Sequence, residues 1–345
     1  MHRRRLCRLL RWSMLALLLA FIFVCQLCPQ AGEWYARHIY PHTASILSRT
    51  ASLVPFSLEE TVALVIGICL LGYPILARRG GQGWKRILRR EAEIILWVYA
   101  WFYWGWGLNY FRESFYVRAG VKPAAYEEAK FRSFLHSYTD SLNTNYCDVA
   151  SIDTLAVQQD IRTLYATVPA GYGLDAPESY HCPKDLWFNT LYSHVGVLGY
   201  AGPFFVEMQL NEELLPSQHP FTYAHELAHL LGVSSEAEAN YWAYRICTQS
   251  GRPEVRYSGY MGLLSYVIIN ARAVMEPETY REWTLTLRDE VVRELGNRDT
   301  YWSEKYSHAL GSIQDWVYDL FLKGNQITSG KKNYAEVIQM ILSTH

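Results

Sequence analysis

The chain has 345 residues, half of them hydrophobic, and a formal net charge of -1 with a pI near 6.8. That length and apolar content suffice for a packed core and exclude a disordered chain. The near-neutral balance provides no electrostatic footprint for a nucleic-acid partner.

Charge is informative in its distribution. Arg3, Arg4, Arg5, Arg8 and Arg11 precede a first apolar run, 12–28, which is long enough to cross a bilayer as a helix. A cleaved signal peptide is the competing reading, although Cys28-Pro29-Gln30-Ala31 offers no small-x-small site. A second run, 61–77, ends against Arg78, Arg79, Lys85, Arg86, Arg89 and Arg90, and reads as a return crossing. A third, 94–108, carries Trp97, Trp101, Trp104 and Trp106, as suits an interfacial aromatic belt. Residues 1–110 are therefore expected to be a membrane region of about three transmembrane helices, with the lipid bilayer as partner. Both basic clusters belong on the cytoplasmic side, which puts residues 111–345 outside the cytoplasm, in the periplasm of a bacterium with two membranes. Only Cys147, Cys182 and Cys247 fall in that outer region, so at most one disulfide can form there.

The outer region reads as mainly α with a small β-sheet. Pro123 is placed to open a helix through Tyr126, Ala129, Phe131, Phe134 and Leu135. Trp283, Leu287, Val291 and Leu295 recur every fourth residue, and a further helical pattern covers Ala309, Ile313, Trp316, Val317, Leu320 and Phe321 before Gly324. Between Val195 and Gln209, glycines with β-branched and aromatic residues predict strands, and 204–210 reads equally as an edge strand for an extended peptide and as ordinary core.

The segment His225-Glu226-Leu227-Ala228-His229 lies among good helix formers. Histidines four apart project from one helix face, a turn from one another, which suits capture of a metal by two imidazoles. Glu226 follows the first histidine, where a carboxylate accepts a proton without being a ligand. Gly232 is placed to end this helix in a left-handed cap. Ser235-Glu236-Ala237-Glu238 then matches a capping box, in which Glu238 reaches back to the cap. That leaves Glu236 as the preferred third ligand, with Glu238 the competitor. Asn240, one turn beyond Glu236, is placed to hold the far ring nitrogen of a ligand histidine. Three protein ligands and an open fourth position describe a catalytic zinc site. Tyr257, Tyr260 and His194 are candidates for stabilising a developing oxyanion.

Glu236-Ala237-Glu238-Ala239-Asn240 after the histidine pair resembles the third-ligand helix of gluzincin metallopeptidases. Metzincins would place a third histidine where Ser235 stands. Over nearly the whole chain, including Trp106-Gly107-Leu108-Asn109-Tyr110, Gly199 to Phe204 and Tyr257-Ser258-Gly259-Tyr260, the sequence resembles a bacterial membrane-protein family catalogued as domain of unknown function 3810. The resemblance implies an integral inner-membrane protein with an α+β, zincin-like peptidase domain. The expected chemistry is peptide hydrolysis in the cell envelope, with Zn2+ as cofactor, Glu226 as general base and a peptide or protein as substrate. The competing expectation is a catalytically inactive metal-binding scaffold or binding module.

Overall fold

A computed structural model describes residues 2–314, 316, 325 and 334–344. The chain is mainly helical with one two-stranded sheet, and it divides into two units, Met1–Glu113 with Gly202–Glu207, and Ser114–Ala201 with Met208–His345.

In the first unit, α1 (His2–Leu27), α2 (Pro29–His38), α3 (Tyr40–Ala51), α4 (Leu58–Arg79) and α5 (Trp84–Gly105) follow one another closely. Two helices are long and apolar enough to cross a membrane, Arg5–Leu27 and Leu58–Arg79, each with mean hydropathy 2.0. Both leave large apolar side chains on the surface of the unit, among them Leu17, Phe23, Leu71 and Leu76. The expected third run, 94–108, is the second half of α5 and continues into the turn Gly107–Phe111. The first half of α5 carries Lys85, Arg86, Arg89, Arg90, Glu91 and Glu93, and α5 is not among the described helices apolar enough to span.

Ser57 caps α4 by accepting from the Glu60 N–H at 3.1 Å. Beside that cap sits the segment 202–207. Glu59 accepts from the Phe204 and Phe205 N–H groups at 3.1 and 3.3 Å, and Glu207 accepts from the Ser57 hydroxyl at 3.0 Å and the Glu59 N–H at 2.8 Å. The Ser48 hydroxyl donates to the Val206 carbonyl at 2.5 Å, and Trp101 meets the Phe204 and Phe205 rings edge-on. A hydrogen bond contributes about 0.5–1.5 kcal/mol net, and the several made here hold 202–207 beside the cap. Arg112 forks onto Glu33 through Nε and Nη2 at 3.0 and 3.1 Å, with both side chains buried.

The second unit is built around three successive helices, α10 (His219–Leu230), α11 (Glu236–Thr248) and α12 (Pro253–Val274). Ahead of them come α6 (Phe115–Ala119), α7 (Glu128–Thr144), α8 (Thr154–Tyr165) and α9 (Asn189–His194). After them come α13 (Pro277–Thr284), α14 (Asp289–Lys305) and α15 (Tyr334–Ser343). Ala224, Ala228, Ala239 and Ala243 are fully buried, and these small side chains let α10 and α11 approach closely. α15 packs on α11 and α12 through Val337, Ile338, Met340 and Ile341, all buried. Each such side chain contributes at most about 1.5–3 kcal/mol.

The predicted strands are β1 (Gly199–Gly202) and β2 (Glu207–Leu210), joined as a hairpin. β2 is buried along its whole length and also makes a parallel bridge between Gln209 and Lys184. β2 thus has β1 on one side and, at Gln209, Lys184 on the other, 204–206 form the turn between the strands, and among the described residues β1 is the outer strand.

Two helix expectations change. α7 begins at Glu128 and not near Pro123, because the Ala124 backbone is engaged by α15: its N–H donates to the Ser343 hydroxyl and its carbonyl accepts from Gln339. The four-residue repeat from Trp283 to Leu295 is split between α13 and α14. Asn143 clamps the break, donating to the Thr286 carbonyl at 2.7 Å and accepting from the Arg288 N–H at 2.9 Å. Trp283, Leu287 and Val291 are buried all the same. Residues 308–314 are helical as the Ala309 and Ile313 spacing predicts, while Val317, Leu320, Phe321 and Gly324 lie outside the described residues. No disulfide joins the described cysteines; Cys247 is buried and Cys182 exposed.

Candidate metal centre

α10 is buried over nearly its whole length. The Tyr165 hydroxyl donates to the Ala224 carbonyl at 2.7 Å, the Tyr223 hydroxyl donates to the His181 carbonyl at 2.9 Å, and the Ser258 hydroxyl accepts from the Phe221 N–H at 3.1 Å. The helix ends in a Schellman turn, in which Gly232 has φ 89 and the Val233 N–H donates to the Ala228 carbonyl at 3.1 Å. Only glycine takes that backbone conformation without strain.

The turn has a second effect. It aims the Val233 carbonyl at Nδ1 of His229, 2.7 Å away. On His225 the same place is taken by Oδ1 of Asn240, at 3.0 Å from Nδ1. With both Nδ1 atoms facing acceptors, each imidazole can keep a proton on Nδ1 when its Nε2 binds a cation, and the two Nε2 atoms face a common place. The two Nε2 atoms are 3.1 Å apart, and Oε2 of Glu236 lies 3.2 Å from that of His225 and 3.8 Å from that of His229.

Those separations match the chemistry of a small cation. Tetrahedral ligands about 2.0–2.1 Å from zinc stand roughly 3.3 Å from one another. His225, His229 and Glu236 form the candidate metal group among the described residues, their donor atoms all within 4.8 Å. The donor set also fits: two neutral imidazoles and a carboxylate suit zinc, with a fourth position open. Burial pushes His229 down, but the carboxylates of Glu236 and Glu226 and the Val233 carbonyl lift it to about 9. Burial raises Glu236 too, and the neighbouring imidazoles of His229 and His225 hold it well below the carboxylate range. Both shifts share one cause, the Glu236 carboxylate lying against the two imidazoles, which favours positive charge at this place.

Glu226 faces the same region and is 5% exposed. Burial raises its pKa, with Glu236 adding to the rise while His225 and His229 oppose it. β1 runs directly over this carboxylate: a Cβ on Gly199 would meet Cγ and Oε1 of Glu226 at 3.0 Å. A bare Cα is what lets the edge strand and the carboxylate coexist.

Glu238 stands apart from the cluster. Its N–H donates to the Ser235 cap at 3.3 Å, as the capping box predicts. Its carboxylate does not return to the cap. It pairs with the buried guanidinium of Arg118 and accepts from Trp242 Nε1 at 3.2 Å. Glu236 is left as the carboxylate at the histidines.

The remaining candidates are held elsewhere. Tyr257 is fully buried and donates to Glu294 at 2.5 Å, Tyr260 packs its ring against Tyr138 and Tyr244, and His194 has Nδ1 on the Thr190 carbonyl at 2.5 Å. The tyrosine that does approach the centre is Tyr266 of α12, whose hydroxyl accepts from Asn240 Nδ2 at 2.9 Å. No local pattern in the sequence marks Tyr266 or the Val233 carbonyl.

Residues 35–342 match the family model described as "Protein of unknown function (DUF3810)". The chain belongs to this family. No curated protein and no solved structure matches it.

Proposed function

We propose that this DUF3810 member is a membrane-anchored, zinc-dependent metallopeptidase with a zincin-like catalytic domain. The observation that carries the reading is the convergence of His225 Nε2, His229 Nε2 and Glu236 Oε2 within 3.1–3.8 Å, with both Nδ1 atoms engaged by fixed acceptors. His225, His229 and Glu236 would hold the ion. Zinc bound there supplies a Lewis acid that polarises a carbonyl and acidifies a water.

The chain's own residues do the rest. Glu226, adjacent in sequence to a ligand and buried beside the cluster, is the general base, a carboxylate placed to accept a proton from water without being a ligand. Proton delivery to the leaving amine by the same carboxylate completes hydrolysis. β1, the edge strand beside Glu226, supports an extended peptide as substrate. The basic residues flanking the two apolar helices support a cytoplasmic N-terminus, and a catalytic domain outside the cytoplasm requires the second half of α5 to make a third crossing.

The test uses the purified full chain in detergent micelles, with zinc content and hydrolysis of an unfolded protein substrate measured together. Wild type is expected to hold one zinc and to cleave. Glu226→Gln is expected to keep the zinc and to lose about 10²–10⁴-fold in rate. Zinc-free wild type, or Glu226→Gln as active as wild type, overturns the reading. Stoichiometric zinc without any cleavage leaves the metal-binding scaffold in its place.

A further inference from the structure

Asn240 is 4% exposed, so both ends of its amide need partners within the protein. When His225 binds a metal through Nε2, its Nδ1 bears the proton, and only the oxygen of the Asn240 amide can accept it. The amide nitrogen is then obliged to face the other way, toward α12. The group it meets is the hydroxyl of Tyr266, 2.9 Å from Nδ2.

We propose that Tyr266 is a positioning residue of the metal centre, supplying the acceptor for the Asn240 amide proton in the one amide orientation that leaves His225 Nε2 unprotonated. The inference rests on the metal-binding half of the function proposed above. Three links form the line: Tyr266 oxygen to Asn240 Nδ2, Asn240 Oδ1 to His225 Nδ1, and His225 Nε2 to the ligand cluster. Tyr266 touches no reacting atom and acts through Asn240. A phenylalanine in its place keeps the ring and removes the acceptor, which leaves a buried N–H without a partner whenever the metal is bound.

A carboxylate at position 240 has no amide protons, so it has no need of this acceptor. It receives the His225 Nδ1 proton in either orientation. That difference separates an orienting role from simple packing, because Asn240→Asp should make Tyr266 dispensable.

The experiment measures zinc affinity of the full chain in detergent micelles by competition with a chromophoric chelator, together with the Co2+ electronic spectrum. Tyr266→Phe is expected to weaken zinc binding roughly tenfold, the lower end of what outer partners of a ligand contribute. Tyr266→Phe introduced into Asn240→Asp is expected to leave zinc affinity and the Co2+ spectrum as they are in Asn240→Asp alone. The comparison is made within one background, so the basicity that a carboxylate partner confers on His225 cancels, and melting of the metal-free proteins verifies their folding. Unchanged affinity in Tyr266→Phe overturns the proposal, as does a roughly tenfold loss from Tyr266→Phe in the Asn240→Asp background. A wild type that binds no zinc overturns it together with the metal site. Zinc binding without peptide cleavage fails the peptidase reading alone, since the affinity comparison needs no turnover.

Discussion

The seat around 202–207 in the first unit and the histidine cluster of the second both bury carboxylates, and they satisfy them by different means. In the seat, Glu59 and Glu207 accept from backbone N–H groups and a serine hydroxyl, donors that neither titrate nor leave. In the cluster, Glu236 faces the Nε2 atoms of two imidazoles whose Nδ1 atoms are held by Asn240 and Val233. A carboxylate against fixed donors is architecture. One against two exchangeable nitrogens is a place for a cation.

That contrast breaks most visibly under alanine. Glu236→Ala is expected to cost more zinc affinity than the roughly 10–100-fold attached to removal of an outer partner, while the fold of the metal-free chain persists. An affinity within tenfold of wild type would place Glu236 outside the ligand set. Glu207→Ala is the mirror case. It removes the acceptor of the Glu59 N–H, at about 1–3 kcal/mol for a buried donor left unpaired, and is expected to lower the unfolding midpoint with zinc content unchanged. Loss of zinc in Glu207→Ala would erase the distinction.

A smaller effect sharpens the comparison by titrating a buried imidazole that belongs to no cluster. Burial, with Arg162 beside it, holds His181 down to about 4, below its ordinary 6.5. Between those values the unfolded chain binds the extra proton. The stability is therefore fully present above pH 6.5 and is lost as the pH falls toward 4. Denaturation at pH 6.5 and 5.5 is expected to show a loss of about 1 kcal/mol from this residue, which His181→Gln abolishes. An equal loss in His181→Gln would assign it to other groups.

The centre was legible in the sequence wherever its geometry is local. His225 and His229 share a face through helix periodicity, Gly232 ends that helix, and Ser235 caps the next, so Glu236 and Asn240 arrive within 15 residues of the first histidine. What failed depends on distant packing. The carboxylate of Glu238 was expected at its own cap and went to Arg118, 120 residues earlier. Tyr266 reaches Asn240 from the next helix, 26 residues on. Pattern also misplaced boundaries where a side chain clamps the backbone, as Asn143 does between α13 and α14. Between edge strand and ordinary core, the two readings of 204–210, residue type does not choose, because it marks a strand without revealing which of its sides is covered.

The docking of α15 on α11 has a consequence for the order of assembly. Tyr241 on the ligand helix and Thr344, whose hydroxyls meet at 3.2 Å, are 103 residues apart, an interval that translation at roughly 5–20 residues per second covers in on the order of ten seconds. During that interval α11 has been synthesised but lacks one of its covers. The helix that carries Glu236 and Asn240 thus completes its packing late in synthesis, and a nascent chain would acquire its metal pocket only after its two apolar helices had long since left the ribosome.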